Sequence, residues 1–127
     1  MTSIEVPYSI AAALPSLAVL DITNDVQREL SRADVSAGIA YISAGPHCLV
    51  RVNEREAGFF CDVEEMLGRL LPHDTSDRLR LLSFLLGSRT EQVPFRDGKL
   101  CTGQWQRILL FDLQGQCRGE WTLTLVG

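Results

Sequence analysis

Apolar positions recur with two different periods along the chain, and each period marks a kind of element. Ile108 to Leu113 is apolar throughout except at Asp112, the pattern of a strand buried on both faces. From Trp121 to Val126 the pattern alternates. Trp121, Leu123 and Leu125 share one face, and Thr122, Thr124 and Val126 the other, which predicts a half-buried strand. Gln114-Gly115-Gln116 lies between them and predicts a hairpin that pairs the two. Upstream, Ile4 to Ala13 predicts an opening strand, confined by Pro7 and Pro15 to an edge or a bend. Further strands are predicted at Leu17 to Leu20, Ile39 to Ser43 and Cys48 to Val52. Gln92 to Arg96 and Lys99 to Cys101 predict a hairpin about Asp97-Gly98, a pair suited to a type I′ turn.

Spacings of three and four predict three helices. The first runs from Asp21 or Ile22 to about Arg32, with Ile22, Val26, Leu30 and Ala33 as its stripe and Asp21, Thr23, Asn24 and Asp25 at its start. The second runs from about Gly58 to Leu71 and is stopped by Pro72. Its inward positions are Phe60, Val63, Met66 or Leu67, and Leu70. The third runs from Asp77 to Leu86, with Leu79, Leu82, Leu85 and Leu86 inward and Gly87 at its end. The expected architecture is one α+β domain over residues 1–127, an antiparallel, sandwich-like sheet with three packed helices.

Composition narrows the partners. The 127 residues are 46% hydrophobic, enough for one globular domain and generous for so small a core, which suggests burial between subunits as well. A net charge of −4 with scattered Lys and Arg gives no basic footprint, so no nucleic-acid partner is expected. No apolar run is long enough to span a membrane, and the N-terminus does not read as a secretory signal. Cys48, Cys61, Cys101 and Cys117 form no CxxC pair and read as reduced cysteines of a cytoplasmic protein, mostly small core residues.

Five short motifs then point to a family. They are Asp21-Ile22-Thr23 with Val26, Asn53-Glu54, Leu85-Leu86-Gly87-Ser88, Asp97-Gly98-Lys99-Leu100 and Gly103-Gln104-Trp105-Gln106. In this order and spacing they resemble the YjbQ-like proteins, small trimeric proteins linked to a secondary thiamine-phosphate synthase activity. The resemblance implies a homotrimer with a pocket near a subunit boundary, and a small phosphorylated or anionic ligand. The chain departs from the family where the family carries histidines. The family's His-Thr-Thr signature falls on Gly45, Pro46 and His47. Its second histidine cluster falls on a shortened segment, Pro72 to Asp77. That places Ser76 near the family's asparagine and Arg80 where its last histidine belongs. His73-Asp74 retains the first pair only if the deletion follows it.

Two histidines in the whole chain cannot build a three-histidine metal site within one subunit, so no metal or other cofactor is expected. The candidate ligand residues are His47, Glu54, Arg80, Gly103, Trp105 and Gln106. Arg80 supplies donors for an anion but no base at neutral pH. Glu54, with Arg51 and Arg55 nearby, suits a phosphate site or a solvated loop. Gly103 permits close backbone approach or a positive φ. Trp105 offers a stacking face or fills a core or interface. Gln106 suits a pocket wall or a subunit seam. Two functions remain open: an anion-binding protein with weak or no catalysis, or a non-catalytic homotrimeric scaffold or partner-binding protein.

Overall fold

The computed structural model describes residues 17–87, 89–115 and 120–127. The opening strand expected at Ile4 to Ala13, and Ser88, Gln116 and Cys117, lie outside the described residues. In chain order the elements are β1 (Ala18–Asp21), α1 (Thr23–Arg32), β2 (Gly38–Ala44), β3 (Cys48–Glu54), α2 (Ala57–Leu70), α3 (Arg78–Leu86), β4 (Thr90–Arg96), β5 (Lys99–Leu100), β6 (Gln106–Asp112) and β7 (Trp121–Val126). All pairings are antiparallel and make two sheets, one ordered β1-β6-β3 and the other β5-β4-β2-β7.

The hairpin expected between β6 and β7 does not form. β6 pairs with β1 and β3, whereas β7 pairs with β2 in the other sheet, Tyr41 opposite Thr124. The turn residues are suited to a reversal, but the pattern of each strand tells why they part. β6 is apolar on both faces because layers cover it on both sides. β7 alternates because its outer face meets solvent: Thr122, Thr124 and Val126 are exposed, while Trp121, Leu123 and Leu125 pack on the core.

Between the sheets lies a core of Leu20, Ala40, Ile42, Val50, Val93, Phe95, Ile108 and Leu110, completed by Ile22 just before α1 and by Val26 and Leu30 within it. Gln27 ties α1 to the β4–β5 hairpin: its Nε2 donates to the Gly98 carbonyl at 2.8 Å, and its Oε1 accepts from Leu100 N at 3.1 Å. The hairpin itself turns on Asp97 and Gly98, both at positive φ (54° and 73°) as a type I′ turn requires.

The opposite face of the three-stranded sheet carries a second core, in which Val19, Leu49, Leu109 and Phe111 pack under Phe60, Leu67 and Leu82 of α2 and α3. Phe60 meets Phe111 edge-on, ring centres 5.7 Å apart. The helices hold surprises for the periodicity. Leu82 of α3 is buried and Leu79 and Leu86 are half-buried, but Leu85, expected inward, is exposed. On α2, Phe60 and Leu67 are buried as expected and Val63 is half-buried, but Met66 and Leu70 are exposed and Glu64 joins the inward row. Buried Glu64 faces His73, with Oε2 and Nε2 3.4 Å apart. The start of α2 is capped by Glu56, whose Oε1 accepts from Gly58 N at 2.8 Å and Phe59 N at 3.3 Å.

Candidate functional site

The densest polar cluster sits where β1 ends and β6 begins. Asp21 closes β1, and its side chain is 1% exposed. A carboxylate so buried needs partners for both oxygens. Oδ1 accepts from Thr23 N (3.0 Å) and Thr23 Oγ1 (2.7 Å). Oδ2 accepts from Arg55 Nη1 and Arg107 Nε, each at 2.7 Å. Thr23 Oγ1 in turn accepts from Ile108 N at 2.8 Å, and Arg107 Nη2 reaches Asn24 Oδ1 at 3.4 Å. One side chain therefore joins the end of β1, the first turn of α1, the loop after β3 and the start of β6. Charge-assisted bonds to a buried anion are short and directional, so both guanidiniums stand in fixed places.

These arginines form part of a cleft of about 460 Å³ that is also lined by Glu54, Glu56, Gln104 and Trp105. Asp21 and the two arginines together carry a net positive charge. The Glu56 carboxylate is engaged by the α2 N-terminus, where a negative charge is favoured. Glu54 is exposed at the rim. Trp105 is 72% exposed, so within the chain it is a free stacking surface and not a core residue. The Gly103-Gln104-Trp105-Gln106 turn presents it. Gln106 Oε1 accepts from Gly103 N at 2.9 Å, and Gln106 N donates to the Gly103 carbonyl at 3.1 Å. A Cβ on Gly103 would lie 3.0 Å from Gln106 Oε1, so the glycine serves close approach; Gly103 is not among the positive-φ residues.

The candidate residues named from sequence separate into three places. Glu54, Gly103, Trp105 and Gln106 gather at this cleft or in the turn that builds it. His47 stands at the other end of the β3–β6 pair. The register runs from Cys48 opposite Asp112 to Glu54 opposite Gln106, about 20 Å of strand. There His47, at φ 60°, shares a smaller cleft with Gly45, Cys48, Asp112 and Glu120. Arg80 lies on the outer side of α3, its side chain 83% exposed and 3.9 Å from Asp77, and it lines none of these clefts. Within one chain, then, Arg80, His47 and Glu54 do not share a pocket. His73 is 3.4 Å from buried Glu64 of α2 and lines neither of these clefts.

Cys48 starts β3 with its side chain in the inter-sheet core. Burial, and then the nearby carboxylates of Asp112 and Glu120, push its thiol up to about 11, with Arg89 opposing. A thiol held protonated at neutral pH is not a nucleophile. Cys61 and Cys101 are exposed free thiols, unlike the core residues expected.

Asp21 and Arg107 were the residues that sequence alone did not mark as a site. Asp21 reads locally as a helix cap, and Arg107 as the polar start of an apolar strand. The available signal was a carboxylate closing the apolar run Leu17 to Leu20, a position that burial would force into an ion pair.

Among the described residues, fold and cleft together define a small α+β protein with two sheets, three helices and an arginine-lined polar cleft at one sheet end. Residues 13–127 match the family described as UPF0047 protein YjbQ-like, and the chain belongs to that family. It is 32% identical over 108 residues to a UPF0047 protein from Archaeoglobus fulgidus, an alignment covering 76% of this chain and 82% of that one. A structural-genomics target from Clostridium acetobutylicum has the same fold, with a TM-score of 0.77 at 21% identity, covering 89% of this chain and 92% of that one. A hypothetical protein from Aeropyrum pernix superposes with a TM-score of 0.73 at 28% identity, covering 87% and 90% of the two chains.

Proposed function

We propose that this chain binds a small phosphorylated or anionic ligand in the cleft between Arg55, Arg107 and Trp105, with weak or no catalysis, as a divergent member of the secondary thiamine-phosphate synthase (YjbQ-like) family. The observation that carries this reading is the convergence of two guanidiniums on one oxygen of buried Asp21. Arginine forks suit phosphate and carboxylate oxygens, and prior fixing lowers the ordering cost of binding. The indole of Trp105 offers a planar group a face to stack on. Arginine cannot act as a base, and among the described residues no histidine lines the cleft and exposed Glu54 is its one carboxylate outside the Asp21 and α2 networks. That set of groups holds a ligand better than it moves protons.

Calorimetry with phosphate, pyrophosphate and thiamine phosphate tests the reading. Arg107→Ala should weaken binding by about 1.5–3 kcal/mol, the range for hydrogen bonds to charged groups. Affinity should also fall with rising salt, because the cleft is open to solvent. Absence of binding by all three compounds, or equal binding by Arg107→Ala, would sink it.

A second reading, a non-catalytic homotrimeric scaffold or partner-binding protein, is favoured by a separate observation. Phe59, Met66, Leu70, Leu81, Phe84 and Leu85 are exposed on α2 and α3, with Phe84 83% exposed. Apolar surface gathered in this way is a mark of association. Light scattering decides: a trimer that Phe84→Glu breaks into monomers supports this reading, and a monomeric parent removes it.

A further inference from the structure

Between the three-stranded sheet and the helices α2 and α3 lies a cavity of about 270 Å³. Among the described residues its walls are apolar apart from Arg51 and Asn53: Leu49 and Phe111 come from the sheet, and Phe59, Val63 and Leu67 from α2. The volume is nearly twice the ~150 Å³ that holds the six carbons of benzene in a dry apolar cavity, so it has room for about ten. Leu49, Arg51 and Asn53 are alternate residues of β3, and the floor extends about 13 Å along the strand.

The two polar wall residues decide what the space accepts, and both turn donors to backbone carbonyls. Arg51 Nη1 donates to the Val50 carbonyl at 3.0 Å, and its Nη2 donates to the carbonyl of Leu86, the last residue of α3. A helix C-terminus is the negative end of the helix dipole and stabilises a cation beside it. Arg51 has a further interaction within the protein besides these bonds. Asn53 Nδ2 donates to the Glu54 carbonyl at 3.1 Å. The positive charge is therefore answered by the chain's own groups, and a ligand need bring no counter-ion. What the cavity leaves uncovered is apolar wall. A charged ligand would lose its hydration there for little return. A neutral, hydrocarbon-rich molecule gives up only water that it holds poorly, and it buries apolar surface of its own and of the walls.

We infer that this cavity is a second ligand site, separate from the Asp21-centred cleft, that takes one neutral, hydrocarbon-rich molecule larger than benzene. The inference does not depend on the anion cleft, which is built at the end of β3 from other residues.

Titration of the full chain with toluene and n-propylbenzene tests it, read by calorimetry and by nuclear Overhauser contacts between ligand and protein rings. n-Propylbenzene should bind one per chain, with contacts to the Phe59 and Phe111 rings. It should bind about tenfold more tightly than toluene, because two further methylenes find room. Benzoate and benzylamine carry the same ring with either charge, and each should bind about tenfold or more weakly than toluene. Val63→Trp should fill the space and abolish binding, and the ring contacts in the parent protein decide the matter if that variant fails to fold. No binding of n-propylbenzene, contacts to other rings only, or equal affinity for toluene and n-propylbenzene would each overturn the inference. So would benzoate binding more tightly than toluene, which would show the charge of Arg51 open to a ligand.

Discussion

Toward the four-stranded sheet, Val50, Ile108 and Leu110 are completely buried among aliphatic neighbours. Toward α2 and α3, the same strands present Leu49, Arg51 and Phe111 to a cavity, roofed by helices whose outer sides expose phenylalanine, methionine and leucine. The two faces come from alternate residues of the same strands. The difference lies in what covers them. A sheet laid on a sheet repeats one spacing along its length and fills the gap evenly. Two short helices with different inward rows leave room between them. The inner face holds the fold together, and the outer face is where this molecule has space and surface to spare.

Core substitutions should separate the faces most clearly. Leu110→Ala on the inner face should cost about 2–5 kcal/mol, because close packing limits collapse around the void. Enlarging the same position, Leu110→Phe, should cost about 1–3 kcal/mol. On the outer face, Val63→Leu places one more carbon where the cavity already exists and should change stability by less than about 0.5 kcal/mol. Denaturant melts of the three variants measure this. Equal penalties for Leu110→Phe and Val63→Leu would show that the helix side is as tightly filled as the inner core.

Cys48 gives the inner face a signature in pH. Its thiol titrates from 9.0 in the unfolded chain to about 11 in the folded one, with burial the first cause. Between those values the unfolded chain gives up a proton that the folded chain keeps. The contribution is thus fully present below pH 9 and is lost as pH rises through the folded value, up to about 3 kcal/mol in all. Cys48→Ala should flatten this part of the alkaline stability curve, seen as the difference between parent and variant melts from pH 8 to 11. An unchanged difference across that range would place the thiol in a wetter site than the inter-sheet core.

How much of this was legible in the sequence depended on the distance over which each feature is encoded. Helix and strand positions follow from local period, and Asp97-Gly98 states its turn in two residues. The partner of β7 is not local: Gln114 and Gly115 allow a reversal whichever sheet receives the next strand. The Asp21 cluster is further out of reach, because Asp21 and Arg107 are 86 positions apart. Their contact depends on the β1–β6 register, which pairs Asp21 with Leu109. On α2 and α3 the periodicity shows that apolar side chains recur, but spacing alone does not distinguish a stripe buried by the chain's own sheet from one left for something else. Leu70 and Leu85 fit the stripe by count and stand in solvent. Motif similarity, in contrast, carried the family and fold, since it depends on order and spacing and not on knowing which contacts the motifs make.

The smallest effect is expected at Arg80, and it is the most telling about the site. Counted back from Gly87, this residue falls where the resemblance implies a histidine, which makes it a ligand candidate. In the fold it sits on the outer side of α3, its nearest carboxylate the exposed Asp77 at 3.9 Å. A pair that exposed is worth little, because water and salt screen it and two long side chains must be ordered to form it. Arg80→Ala should therefore shift stability by less than about 0.5 kcal/mol. If the ligand lies in the Arg55–Arg107 cleft of a single chain, phosphate affinity should also be unchanged in Arg80→Ala while it falls in Arg107→Ala. The two variants are best titrated together at low salt, where a surface charge has its longest reach. Loss of binding in Arg80→Ala as large as in Arg107→Ala would mean that a neighbouring copy brings α3 to the cleft, so that the anion site is completed across a subunit boundary.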